Sequence, residues 1–197
     1  MISLKSIGQA KPNALGLSSG SSSCFKRVVT FLVTLILLCF PVLSPAGSRY
    51  ATISCSDPAL LKEFNDNLYL GRNLSRMLKR KNLITIQDEV QAKVDIIVEK
   101  VEVVLDMFPD NLRFNLVLLP TARDVSKIYK KNYGKSVKHI AYYSITQKTI
   151  YISVDDTRLK VLAHEIGHMV ADSFFEVRPP YKVHELMAQF AEKHVTD

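Results

Sequence analysis

From Asp57 onward the apolar residues of this chain return in two rhythms, every three to four positions or every second one. Leu60, Leu61, Phe64, Leu68, Leu74 and Leu78 keep helical spacing behind Asp57-Pro58, an N-cap followed by a first helical residue, and predict an amphipathic helix ending near Lys81. Val90, Val94, Ile97, Val101, Val104 and Leu105 form a second stripe, which predicts a helix from about Ile86 to Phe108 closed by Pro109. NLRFNLVLLP, 111–120, alternates and then turns continuously apolar, as a strand covered on both faces does. TARDVSKIYKKNYG reads as a short capped helix stopped at Gly134. HIAYYS and TIYISV flank ITQK and read as paired strands, with Ile150, Ile152 and Val154 on one face. Asp155-Asp156-Thr157 opens another helix, and PPYKVHELMAQFAEKHV opens a last one behind two prolines. This order predicts an α+β fold, and no internal repeat or low-complexity tract interrupts it after residue 46.

Residues 1–46 break both rhythms. Lys5, Lys11, Lys26 and Arg27 occur there without a single acid, followed by VVTFLVTLILLCF from Val28 to Phe40 and then PVLSPAGS. Basic, apolar and small, in that order, is the layout of an export signal. The apolar run ends at Pro41, short of the roughly 20 residues that span a bilayer comfortably as a helix. Cleavage near Ala46 is the expectation, with a retained N-terminal membrane anchor and a buried core helix as alternatives. The protein is therefore expected to be exported, periplasmic or secreted, with membrane association, if any, through this segment.

The leader changes how charge and cysteine are read. Its four basic residues account for the difference between the formal +7 of the whole chain and +3 for the remainder. Arg76, Lys79, Arg80 and Lys81, and the series Lys127, Lys130, Lys131, Lys135 and Lys138, read as solvated helix faces, with attraction to anionic lipid or an acidic partner as the alternative. No nucleic acid is expected, because no binding motif accompanies the charge. Cys24 and Cys39 lie in the leader, so the remainder keeps only Cys55 and has no internal disulfide available.

One short stretch carries chemistry. His164-Glu165-Ile166-Gly167-His168 fits His-Glu-x-x-His, a match that chance would supply about 0.005 times in a chain of this composition. Histidines four apart on a helix share a face, so both rings can converge on one ion, and Glu165 stands beside it as a base. A catalytic zinc needs one more protein ligand and an open position. A metzincin's downstream residues are absent, their places being held by Ala171 and Phe174, and the Asp setting of an aspzincin is also missing. Glu185, on the helix returned by Pro179-Pro180, is the expected third ligand, with His184 and His194 as alternatives.

The stretch AYYSITQKTIYISVDDTRLKVLAHEIGHMVADSFFEVRPPYKVHELMAQFAEKHV resembles the catalytic core of small gluzincin metallopeptidases of the minimal peptidase MA-like type. The resemblance implies a minimal zincin-like fold over 86–197, with a small mixed sheet packed on the active-site helix. The segment 47–85 would stand in front of it as an N-terminal helical part. It further implies zinc held by His164, His168 and Glu185, with Glu165 as general base and a peptide or protein as substrate. An edge strand upstream of the metal helix binds substrate in that family, and HIAYYS, 139–144, matches its position. Tyr142 and Tyr143 also read simply as strand formers. Where many gluzincins carry an acid four residues after the ligand Glu, this chain has Gln189; Asp172 is the candidate to orient His168 instead, or else an ordinary surface acid. Tyr181 is the nearest candidate oxyanion donor, and His139 reads as structural. The competing expectation is a catalytically inactive zinc-binding scaffold, or an interaction domain at the membrane surface.

Overall fold

Four strands and six helices follow one another in the computed structural model, which describes residues 48–197. The expected export leader and its cleavage site near Ala46 lie outside the described residues. The elements are β1 (Ala51–Ser54), α1 (Pro58–Asn67), α2 (Gly71–Leu78), α3 (Ile86–Leu105), β2 (Phe114–Leu119), α4 (Ala122–Tyr133), β3 (Ala141–Ser144), β4 (Thr149–Ser153), α5 (Leu159–Phe174) and α6 (Tyr181–His194). The strands make one mixed sheet in the order β1-β2-β4-β3. β1, β2 and β4 run parallel, while β3 turns back against β4 and forms an edge. The class is α+β, as the element order predicts.

Leu116 lies beside Ile150 and Leu118 beside Ile152 on one face of the sheet, and all four are essentially buried. That face packs into a core with Phe64 of α1, Val94, Ile97 and Val101 of α3, and Leu162 and Ile166 of α5. On the opposite face Tyr142 stacks on Tyr151 at 5.0 Å and meets Tyr129 of α4 edge-on at the same distance. Helix α3 is the axis of the fold. Thr85 and Asp88 close a reciprocal capping box at its start, and Val94, Ile96, Ile97 and Val98 are buried on every side because other elements surround it.

Three boundaries differ from the expected ones. The stretch 47–85 is not a separate helical part: β1 pairs with β2 from Ala51↔Phe114 to Ser54↔Val117, and α1 and α2 enter the common core. The buried Asp95 of α3 fixes that entry by accepting from the backbone N–H of Arg49 at 2.9 Å and of Tyr50 at 3.4 Å. The predicted helix 57–81 is two helices. Asn67 donates to the carbonyl of Val154 at 3.0 Å and Gly71 takes φ +75°, so the chain bends between them and buries both Leu68 and Leu70. Helix α5 begins at Leu159 rather than at the Asp155–Thr157 stretch, because Ser153 donates to Asp156 and Thr157 donates to the Ser153 carbonyl in a turn that closes on β4. No helix among the described residues is long and apolar enough to cross a membrane.

Candidate metal centre

Helix α5 buries Leu162, Ala163, Ile166, Met169 and Val170 against the sheet and α3, which turns His164 and His168 to its other side. Their rings meet edge-on with centroids 4.8 Å apart, and each keeps a minor part of its side chain exposed. Helix α6 lies across them. Its approach is set by small residues: a Cβ added at Gly167 would stand 2.9 Å from Ala188 Cα and 3.1 Å from Ala191 Cβ. The central glycine of the motif is therefore what lets the two helices touch, a role that neither the ligand spacing nor the base assignment requires of it.

With the helices this close, Glu185 reaches both rings. Its Oε1 lies 3.6 Å from Nε2 of His164 and its Oε2 lies 3.5 Å from Nε2 of His168. The three ligand atoms fall within 4.8 Å of one another, and this is the group among the described residues that could hold a metal ion. The expected ligand trio is thus brought together. Gln189 donates to Oε1 of Glu185 at 3.1 Å, so the residue that departs from the family pattern steadies the carboxylate instead of a histidine.

The other ring nitrogens are also occupied. Glu192, two turns beyond Glu185 on the same face of α6, places Oε2 3.1 Å from Nδ1 of His164. His184 places its Nδ1 2.9 Å from Nδ1 of His168. The sequence offers His184 only as an alternative ligand and leaves Glu192 unassigned, although the seven-residue step from Glu185 to Glu192 is a readable signal. Asp172 does not take the orienting role considered for it: it accepts from the Tyr143 hydroxyl at 3.1 Å, because His184 already fills the place behind His168. Of the alternative third ligands, His184 faces the back of His168, and His194 pairs with Asp197 at 2.6 Å.

No family model, curated protein or solved structure matches this chain.

Glu165 is buried beside the trio. Burial, with the neighbouring Glu185 and Glu192 charges adding to it, pushes its carboxyl up to about 8, against the pull of a hydrogen bond from the Tyr143 backbone N–H. Burial pushes His168 the other way, down to about 3, helped by His164, His184 and Arg178. Both shifts describe a site that disfavours uncompensated charge. A divalent cation would relieve the acid and is accepted by a neutral imidazole. Two imidazole nitrogens and a carboxylate form a donor set that suits zinc, whose tetrahedral bonds of about 2.0–2.1 Å require ligand atoms close to the spacing found.

A cavity of about 340 Å³ opens over the trio. Ala141, Tyr142 and Tyr143 of the edge strand form one wall, and Arg178 of the α5–α6 connection and Tyr181 at the start of α6 the other. Tyr181 sits on its rim, largely exposed. His139 lines it too, its ring tilted against that of Tyr129 with centroids 4.5 Å apart. A second cavity of about 320 Å³, at the start of β1 and β2 between Arg49, Glu102 and Arg113, is separate from the metal-ligand group.

Proposed function

We propose that the chain is a zinc-dependent metallopeptidase of gluzincin type, exported by its leader and acting on peptide bonds. The observation that carries this reading is the convergence of His164, His168 and Glu185 in a cavity that also contains a buried, proton-accepting carboxylate and an unpaired sheet edge. Zinc held by that trio would supply Lewis acidity and bring the pKa of a coordinated water toward about 7.

The protein's own residues supply the rest. Glu165 takes a proton from the attacking water and returns it to the leaving amine, held in place by the Tyr143 N–H. Glu192 and Gln189 steady His164 and Glu185. Tyr143 uses one outward backbone group of β3 for Glu165; by the alternation of an antiparallel pair, Ala141 shares that outward edge and is free to pair with an extended peptide. Tyr181, at the rim, is the proposed donor to the developing oxyanion.

The deciding experiment is elemental analysis of purified protein followed by peptide-library digestion with and without a chelator. One zinc per chain, and cleavage that the chelator stops and zinc restores, supports the reading. Stoichiometric zinc without cleavage of any library member favours the inactive scaffold. The exported state is tested by intact mass, which should begin near Gly47.

A further inference from the structure

The two histidines of the trio are backed by different chemistry. His164 has a carboxylate behind it, in Glu192, whereas His168 has another imidazole. His184 is 1 % exposed, its ring lies within 10° of the plane of the His168 ring, and their Nδ1 atoms are 2.9 Å apart. Its remaining nitrogen, Nε2, is buried without a hydrogen-bond partner.

We infer that His184 is a positioning residue that accepts a hydrogen bond from His168 and thereby fixes the tautomer in which His168 offers Nε2 to the metal. This rests on the zinc reading above. A ligating imidazole nitrogen carries no proton, so the single proton of neutral His168 sits on Nδ1. Two N–H groups cannot face each other at 2.9 Å, so Nδ1 of His184 must be the acceptor and its own proton lies on Nε2. The opposite direction, with His184 donating, would leave the His168 proton on Nε2, aimed at Glu185, and close that ligand position. The direction of one hydrogen bond and the ability to take a metal are therefore the same variable.

His184 is not a spare ligand in this arrangement. Its Nδ1 is turned to the side of His168 remote from Glu185, and its Nε2 is buried. The charged groups near it are the acids Asp172 and Glu185 and the base Arg178.

Substitutions can separate the acceptor from the bulk. The side-chain oxygen of His184→Asn falls where Nδ1 of histidine lies and can accept the same bond; that of His184→Gln falls where Nε2 lies and cannot. His184→Leu removes the acceptor altogether. Zinc affinity is measured on the full chain by competition with a calibrated chelator, with near-ultraviolet circular dichroism checking the fold. The parent and His184→Asn are expected to agree within about threefold, and the Gln and Leu variants to bind zinc about 10–100-fold more weakly while folded. Should Leu fail to fold, the Asn-to-Gln contrast gives the same reading. Equal affinity in all four chains overturns the inference, as does an Asn variant as weak as the Gln one. A parent that binds no zinc sinks the zinc reading itself, an outcome visible before any variant is compared.

Discussion

A methyl group on Gly167 would come within 2.9 Å of the Cα of Ala188, closer than real Cβ atoms approach a backbone. In an exposed helix the change from glycine to alanine gains up to about 1 kcal/mol. Here it forces α5 and α6 apart. Gly167→Ala is expected to lose about 1–3 kcal/mol of stability through overpacking, and to lose zinc affinity as Glu185 is carried away from the histidines. Chemical denaturation and a zinc titration read the two effects. A variant that gains stability and keeps its zinc would mean that the helices are not in tight contact.

Glu165→Gln should abolish peptide hydrolysis and leave zinc in place. Glutamine keeps the volume and the hydrogen bond from Tyr143 but cannot take a proton, and general-base removal costs about 10² to 10⁴ in rate. The comparison is made on kcat with bound zinc quantified in both chains. Cleavage at the parent's rate would remove Glu165 from the mechanism.

Glu192→Leu tests the support of the other histidine. The pair it forms with His164 is partly exposed, so its loss should change the stability of metal-free protein by no more than about 1 kcal/mol. Zinc affinity should nevertheless fall about 10–100-fold. Glu185→Ala, in contrast, removes a ligand and should abolish stoichiometric zinc. Unchanged zinc binding in the Glu185 variant would require a different trio.

Acidity should affect the metal-free chain in two windows. Glu165 keeps its proton up to about 8 when folded against an ordinary 4.5, so the stability it confers is full below 4.5 and is lost as pH rises to 8. His168 stays neutral when folded down to about 3 against an ordinary 6.5, so its contribution is present above 6.5 and is lost as pH falls. The two oppose each other between 4.5 and 6.5, and above 6.5 only Glu165 acts. In the presence of a chelator the parent should lose about 1–2 kcal/mol between pH 6.5 and 8, and Glu165→Gln should lose much less. Denaturant midpoints at three pH values decide this, and parallel curves for the two chains would contradict it.

Local pattern made much of this molecule readable. His164, Glu165 and His168 announce themselves because helical spacing alone puts the two rings together, and Pro179-Pro180 signals the return that carries Glu185. What escaped depends on partners distant in the chain. Thr52, Ile53 and Ser54 fall within the segment expected to be helical until they are laid beside Asn115, Leu116 and Val117, whose pairing makes them a strand. Leu68 continues a helical stripe toward Leu74, yet Asn67 reaches the Val154 carbonyl and bends the chain there. His184 and Glu192 acquire their roles only from the depth at which α6 docks, and Gly167, Ala188 and Ala191 set that depth together. Of the two readings open to Asp172, the orienting one fails for the same reason: it lies one turn from His168, but a ring from the neighbouring helix is nearer.

The inward side of α6 has few apolar groups to hold it. Beyond the site residues it buries Ala188 and Ala191, with Val195 just past its end, while Leu186 and Phe190 face outward. Beside these small apolar contacts, the polar set His184, Glu185 and Glu192 ties this last helix to α5. An ion gripped from α5 and α6 together would act as a rivet through this last helix, so occupancy of the centre would govern both the proposed chemistry and the integrity of that part of the fold.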